Sequence, residues 1–454
     1  MTQMDSFHAL HRFGFGPAPG EMRAVASDPR AWVAAQIGPT PAPPRLAGFA
    51  GSDALLTRLY SARFEGNETY ASTNRDVYRN AYLPEILARA EIAVTTARPF
   101  AERMVMFWSN HFTVSRLKPV VGNAAAAYER EAIRPHVFGR FADMLRAVVQ
   151  HPVMLTYLDN TASMGEQSPI GLRRQARRGD FNALNENLAR EILELHTLGV
   201  TGGYDQTDVI ELAKVLTGWS VGGIRMGFER NRPRHGGFEF KPMLHEPGPK
   251  TVVGRRYREN GEQEGIDALN DLARHPSTAQ FIATKLARHF LADDPPDSAV
   301  RHLAQVFAES DGDLGEVAQA LVSLDLAWTA PPTKIKPHYD YVIAVLRAMD
   351  TAKVSPRDVY RLLRNINSMP FTAPSPAGWG DRAEDWLAPA ALMARIEWVR
   401  SISSALPHGF APNAFLEALI GPVANAPIQQ EVARAPSGPD AMALVLASAE
   451  FQRR

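Results

Sequence analysis

The chain contains no cysteine, which excludes thiolate nucleophiles, cysteine zinc sites, iron–sulfur clusters and disulfide staples together. It also lacks net charge, since 49 Lys and Arg residues balance 49 Asp and Glu. No global field draws it to nucleic acid or to an anionic membrane surface, and no nucleic-acid partner is expected. No apolar run nears the roughly 18 residues needed to cross a bilayer, so no membrane span is expected either. The segment Met1-Thr-Gln-Met-Asp-Ser-Phe-His8 has none of the marks of an export signal, neither a basic start, an apolar stretch nor a small-residue cleavage site. That points to the cytoplasm.

What is present is an ordinary globular mixture, 45% apolar and 22% charged over 454 residues, enough for a large core. Apolar residues recur at three- and four-residue spacing in Phe100 to Phe107, Phe138 to Val149, Leu184 to Leu198, Phe281 to Phe290 and Tyr341 to Met349. This predicts a mainly α-helical protein. Val221 to Tyr257 alone looks β-like, which suggests a small hairpin inserted between helices. Proline-rich breaks at 39–44 and 329–333 mark an N-terminal helical arm of about 1–45, a helical core of about 51–330 and a C-terminal helical part of about 334–454. No repeat is visible, which favours one irregular multi-helix domain over a solenoid. Ser163 to Asp180 reads as a surface loop carrying the basic cluster Leu172-Arg-Arg-Gln-Ala-Arg-Arg178, able to grip an acidic polymer or simply solvated.

The most informative stretch is Asn185-Glu-Asn-Leu-Ala-Arg-Glu-Ile-Leu-Glu-Leu-His-Thr-Leu-Gly199, closed by Gly199, Gly202 and Gly203. At roughly 100° per residue, Asn187, Glu191 and Glu194 share one helix face, with Arg190 at its flank. Two carboxylates one turn apart, if desolvated, do not both ionise, so one becomes an acid beside a base. The same spacing also suits an ion-pair network of Glu186, Arg190 and Glu194. His196 projects elsewhere and is expected to be a hydrogen-bonded histidine at the helix end.

In Phe107-Trp-Ser-Asn-His-Phe112 a polar pair, Asn110 and His111, sits among aromatics. Trp108 could stack on a sugar and His111 move a proton, or the group could be an aromatic core with a satisfied histidine. Tyr157-Leu-Asp-Asn160, Thr217-Gly-Trp219 and His245-Glu-Pro-Gly-Pro-Lys250 add polar groups at element ends. Gly218-Trp-Ser-Val-Gly222 fits the letters of a nucleophile elbow, but a helix pattern precedes it and a β-like span follows, the reverse of what that motif requires. Dinucleotide, Walker-type and His-Glu-x-x-His signatures are missing, and no cofactor is expected.

Taken in order, these segments resemble a bacterial family known only as domain of unknown function 1800. The resemblance runs from His11-Arg-Phe-Gly-Phe-Gly-Pro17 through Phe107–Phe112, Tyr157–Asn160, Asn185–Glu191, Glu194–Val200 and Leu216–Trp219 to Pro376-Ala-Gly-Trp379 and Ser448-Ala-Glu-Phe-Gln452. It implies a single family domain over nearly the whole chain. It also implies an extracytoplasmic tendency, since many members look secreted and some carry sugar-binding or adhesive modules. A chain without a visible signal would then either leave the cell with a signal-bearing partner or act inside it.

The reading that follows is an acid/base enzyme, a hydrolase or lyase acting on an anionic or neutral glycan. Glu191 and Glu194, or either with Asp159, would form the acid/base pair, with His111 beside them. Trp108, Trp219, Asn110, Asn187, Arg190, His245 and Lys250 would bind and orient substrate. The alternatives are a non-catalytic assembly protein of an export or envelope pathway, whose polar helix is a buried network, and a metal enzyme using His111, His245 and a carboxylate.

Overall fold

Helix dominates, as the periodicity predicts: 64% of the chain is helical and 4% is strand. The computed structural model describes residues 2–118, 121–178, 183–223, 235–349, 356–366, 368–403 and 411–454. Two large apolar cores organise them. The buried members of the first come from residues 9–328, with Phe371 as the one exception. The second is built from Tyr341 to Phe451 together with Phe7, Phe15, Ala90, Ala93 and Val94.

The N-terminal residues join the two cores. His8–Phe13 forms a π-helical turn that is buried throughout. From it, Arg12 donates to the carbonyls of Ala327, Ala330 and Pro331, while His11 Nε2 lies 2.9 Å from the Leu419 carbonyl. Lys336 Nζ lies 3.1 Å from His11 Nδ1 and donates to the carbonyls of Phe451 and Arg453. A buried backbone carbonyl needs a donor, and these long cations supply it where the two halves of the chain meet.

The inserted β segment consists of two antiparallel ladders. Strand β1 (Trp219–Val221) pairs with β2 (Phe238–Phe240), and β3 (Lys250–Val252) pairs with β4 (Arg255–Tyr257). Ser220 is fully buried and donates to the Thr161 carbonyl at 2.7 Å, so it is a structural hydroxyl and not a nucleophile. The basic cluster departs from expectation, because Pro169–Arg178 is a helix and not a loop. Ser168 accepts from the Gly171 N–H at 3.1 Å and Pro169 opens the first turn, a start signal masked in the sequence by the surrounding glycines. Ile170 anchors this helix against Met164 and Leu244.

The polar segment read as one regular helix changes pitch partway. Asn187–Glu191 is α-helical and Ile192–His196 is π-helical. Thr197 Oγ1 donates to the Ile192 carbonyl at 2.6 Å, and the Gly199 N–H to the Leu193 carbonyl at 3.1 Å. Gly199 takes a left-handed φ of 81°, which allows the closing turn.

Candidate active site

A cavity lined by titratable and aromatic side chains lies where the two cores adjoin. Its walls are the Pro99–His111 helix, the Pro276–Phe290 helix, the start of the His338–Ala348 helix and the segment 368–386. It encloses about 1070 Å³, including solvent at its mouth.

Pro276–Phe290 begins on His275, whose ring nitrogen accepts from Ser277, with Pro276 in the first turn. Ile282, Ala283, Leu286, Ala287 and Phe290 form its buried face. Lys285 and His289, four residues apart, flank that stripe and face the cavity together. His289 Nδ1 lies 3.2 Å from Asp381 Oδ2, while its Nε2 is buried without a partner among the described residues. A carboxylate at Nδ1 favours the tautomer protonated there and leaves the Nε2 lone pair available. Burial alone would push the Asp381 carboxyl up, but His289, Lys334 and Lys285 together hold it below the usual range.

Lys285 Nζ has no hydrogen-bond or ion-pair partner among the described residues; it faces the Phe281 ring, 5.6 Å from Nζ to centroid. Burial pushes its ammonium down to about 8, with Arg288 adding to the effect and Asp381 opposing it. His111 reaches the same cavity from the facing helix, its Nε2 3.1 Å from the His196 carbonyl and its Nδ1 buried without a partner among the described residues. Burial, then Lys285 and His196, hold the His111 ring neutral. His196 does not make the ring hydrogen bond expected of it: both its ring nitrogens are buried and unpartnered, and burial pushes its pKa down to about 3.

The other charged groups of the wall are engaged. Arg89 forks onto Glu129 at 2.8 Å, and Arg103 binds the Gly14 carbonyl and, at 2.7 Å, Asp340. Asp340 also meets Arg454 at 3.1 Å. Tyr339, Phe371, Trp379 and Trp386 supply aromatic surface, with the two indoles 6.3 Å apart. Asn110 fixes this rim: its amide nitrogen donates to the Trp379 carbonyl at 2.9 Å and its amide oxygen accepts from the Trp379 N–H at 2.8 Å. Gly378 takes a φ of 81° beside it, and a Cβ there would lie 2.5 Å from the Asn110 carbonyl. The segments Phe107–Phe112 and Pro376–Trp379, far apart in sequence, thus form one structural unit.

Of the residues singled out from sequence, Asn110 and His111 line this cavity. Trp108 does not form a groove wall; it is fully buried, packed among Phe107, Phe112 and Phe141. Trp219 is likewise a core residue, fully buried and set edge-on to Phe238, with Gly265 so close that a Cβ there would fall 2.3 Å from the indole. In both windows the apolar side of the element outweighed its polar neighbours. His245 and Lys250 are not open to substrate, because both are buried on Glu264, at 3.3 and 3.2 Å.

Glu191 and Glu194 lie elsewhere, each partly buried, as neighbours that raise the Glu191 carboxyl through burial first and mutual repulsion second. Neither has an ion pair among the described residues, since Arg190 binds Glu186 and Gln206 instead. Asn187 is exposed. Asp159 is exposed too, held by Lys118 at 2.6 Å in a left-handed conformation with φ 60°. Glu191, Glu194, Asp159, Asn187 and Arg190 are not part of the cavity wall.

Lys285, His289 and Asp381 are cavity-lining groups that sequence reasoning passed over. The signal was the four-residue Lys–His spacing inside the Phe281–Phe290 window, and an aspartate two residues beyond the Pro376–Trp379 segment. Among the described residues, no group of three or more His, Asp or Glu is placed to hold a metal ion, and no helix is long and apolar enough to cross a membrane.

Neither a curated protein nor a solved structure matches the chain. A family model described as Protein of unknown function (DUF1800) matches residues 8–453, nearly the full length, and the chain belongs to that family.

Proposed function

We propose that the protein is an acid/base enzyme acting on a glycan, and that its reaction takes place in the cavity between the two cores. The observation that carries this reading is the His289–Asp381 pair, with the Nε2 of His289 buried and unpartnered beside Lys285. A neutral imidazole whose tautomer is fixed by a carboxylate is a general base, and a neighbouring ammonium stabilises the negative charge that develops once a proton leaves. Trp379, partly exposed at the cavity rim, offers an apolar ring on which a sugar would stack, with Trp386 packed behind it.

Between hydrolase and lyase, the charges favour a lyase. Glycoside hydrolysis needs one protonated carboxyl as its acid. Asp381 is held ionised and Asp340 is bound by two arginines, so neither cavity carboxylate suits that role. Elimination next to a uronate carboxylate instead needs a base and a cation, which His289 and Lys285 supply.

The test is incubation of the purified protein with uronate-containing and neutral polysaccharides, following the ultraviolet absorbance of unsaturated chain ends and the release of reducing ends. His289→Asn should lower turnover roughly 100-fold or more while sparing the melting temperature. A variant that loses stability instead, or a folded wild type inert on every glycan, would remove the proposal in favour of an assembly role.

A second reading keeps Glu191 and Glu194 as the acid/base pair, supported by the raised carboxyl of Glu191 and the lack of an ion pair at either among the described residues. Glu191→Gln abolishes turnover in that reading and leaves it intact in the first.

A further inference from the structure

The chain has eight lysines, seven of them described. Six of the seven are committed. Lys118 binds Asp159, Lys214 binds Glu211, Lys241 lies 4.0 Å from Glu239, and Lys250 binds Glu264. Lys334 binds Asp293, and Lys336 is consumed by the carbonyls of Phe451 and Arg453. Lys285 alone among them has neither an ion pair nor a hydrogen bond, and it is the one that lines the cavity.

We propose that Lys285 captures a carbonyl compound, an aldehyde or ketone such as the open-chain end of a sugar, as a Schiff base on Nζ. The inference rests on the cavity reading above and narrows its substrate to one bearing a carbonyl carbon. An amine held by a carboxylate has its lone pair protonated and its position fixed on the partner, whereas Lys285 is free to approach a ligand. Its depressed basicity helps, because with a pKa of about 8 roughly one molecule in ten carries the neutral amine at pH 7.

The chemistry balances with groups at hand. The Nζ lone pair attacks the carbonyl carbon, the π electrons move to oxygen, and a proton passes from nitrogen to that oxygen to give a carbinolamine. His289, one helical turn away with an unpartnered Nε2 lone pair, takes the proton that frees the Lys285 amine and then passes it from Nε2 to the hydroxyl; the nitrogen lone pair expels it as water and a C=N bond forms. The imidazole ends neutral as it began and the charge stays on the iminium nitrogen, so no external proton, oxidant or reductant is consumed. Asp381 fixes the His289 ring throughout and is a positioning residue here.

The test uses the full-length protein, glycolaldehyde as the probe and cyanoborohydride to reduce any imine at neutral pH, read by intact mass and peptide mapping. The expected result is a single adduct at Lys285 before any other lysine is detectably modified, lost in Lys285→Arg and in urea-unfolded protein. Modification of Lys285 no faster than that of the salt-bridged Lys214 would overturn the inference. If Lys285 is not trapped while His289→Asn still abolishes glycan turnover, Schiff-base capture fails and the acid/base reading stands. Trapping at Lys285 without turnover of any glycan supports the capture and removes the acid/base reading.

Discussion

Two clusters in this protein contain the same three residue types, a lysine, a histidine and a carboxylate, and their environments make them opposites. In the first, Lys250 and His245 both reach Glu264 within 3.3 Å, and the three side chains are 2%, 6% and 0% exposed. Lys250 also donates to the Glu246 carbonyl at 2.5 Å. In the second, Asp381 is approached by His289 at 3.2 Å, Lys334 at 3.7 Å and Arg454 at 3.9 Å, and Lys285 is left over. The difference lies in the number of cations per carboxylate. Where lysine and carboxylate are matched one to one, the amine is a strut; where cations outnumber carboxylates beside a cavity, one amine remains available to react.

The sharpest test of this contrast makes the same change in both places. Glu264→Gln strands a buried lysine and should cost about 3–5 kcal/mol in urea unfolding. Asp381→Asn should cost less, because the side chain is 26% exposed and its cations keep other partners, but it should abolish turnover by releasing the His289 tautomer. Equal stability losses at the two sites would dissolve the distinction.

Next in size is Lys285→Met, expected to stabilise by an amount on the order of 2 kcal/mol at pH 7, since it removes a partly buried cation that makes no ion pair among the described residues. The sign with pH follows from the lowered pKa. Below about 8 the folded chain bears the full cost of burying the charge. Between about 8 and the ordinary 10.5 the unfolded chain binds more protons, so wild-type stability climbs with pH and the gap to the Met variant closes. Arg288, Asp381, His111 and His196 face the same amine and are present in both proteins, so the difference isolates Lys285. A gap that does not change over this range would mean that Lys285 is solvated. The smallest effect belongs to Asn110→Ala, which removes both hydrogen bonds to Trp379 and should cost about 1–2 kcal/mol by thermal unfolding, with weaker glycan binding as the rim loosens.

How much of this was legible in the sequence depends on the range of the interaction involved. Helix content and a β insert around Val221 to Tyr257 follow from local periodicity; the helices are present, and two short ladders begin at Trp219 and end at Tyr257. The repulsion between Glu191 and Glu194 is also local, since they are three positions apart, and the raised Glu191 carboxyl is there. The turn from α to π at Ile192 left no mark in the apolar pattern, because it depends on where Thr197 and Gly199 find their acceptors. Burial of Trp108 and Trp219 is a tertiary fact, as is the meeting of His289 with Asp381, 92 residues apart. His245 and Lys250 drew notice as a polar cluster near glycines and prolines, whereas Lys285 and His289 passed as the edge of an apolar stripe. Sequence distinguishes residue types, but the supply of counter-charges is settled only when distant segments pack.

The division of the molecule into two cores has a further consequence for biosynthesis. A ribosome that has reached residue 330 has delivered nearly all of the larger core, including the helix that carries Lys285 and His289. Asp340, Trp379, Asp381 and Trp386 are translated afterwards. The nascent chain therefore carries the residues of its larger core before its histidine has an orienting carboxylate or its amine an enclosing wall, and completion of the cavity is a late event, timed by gene position.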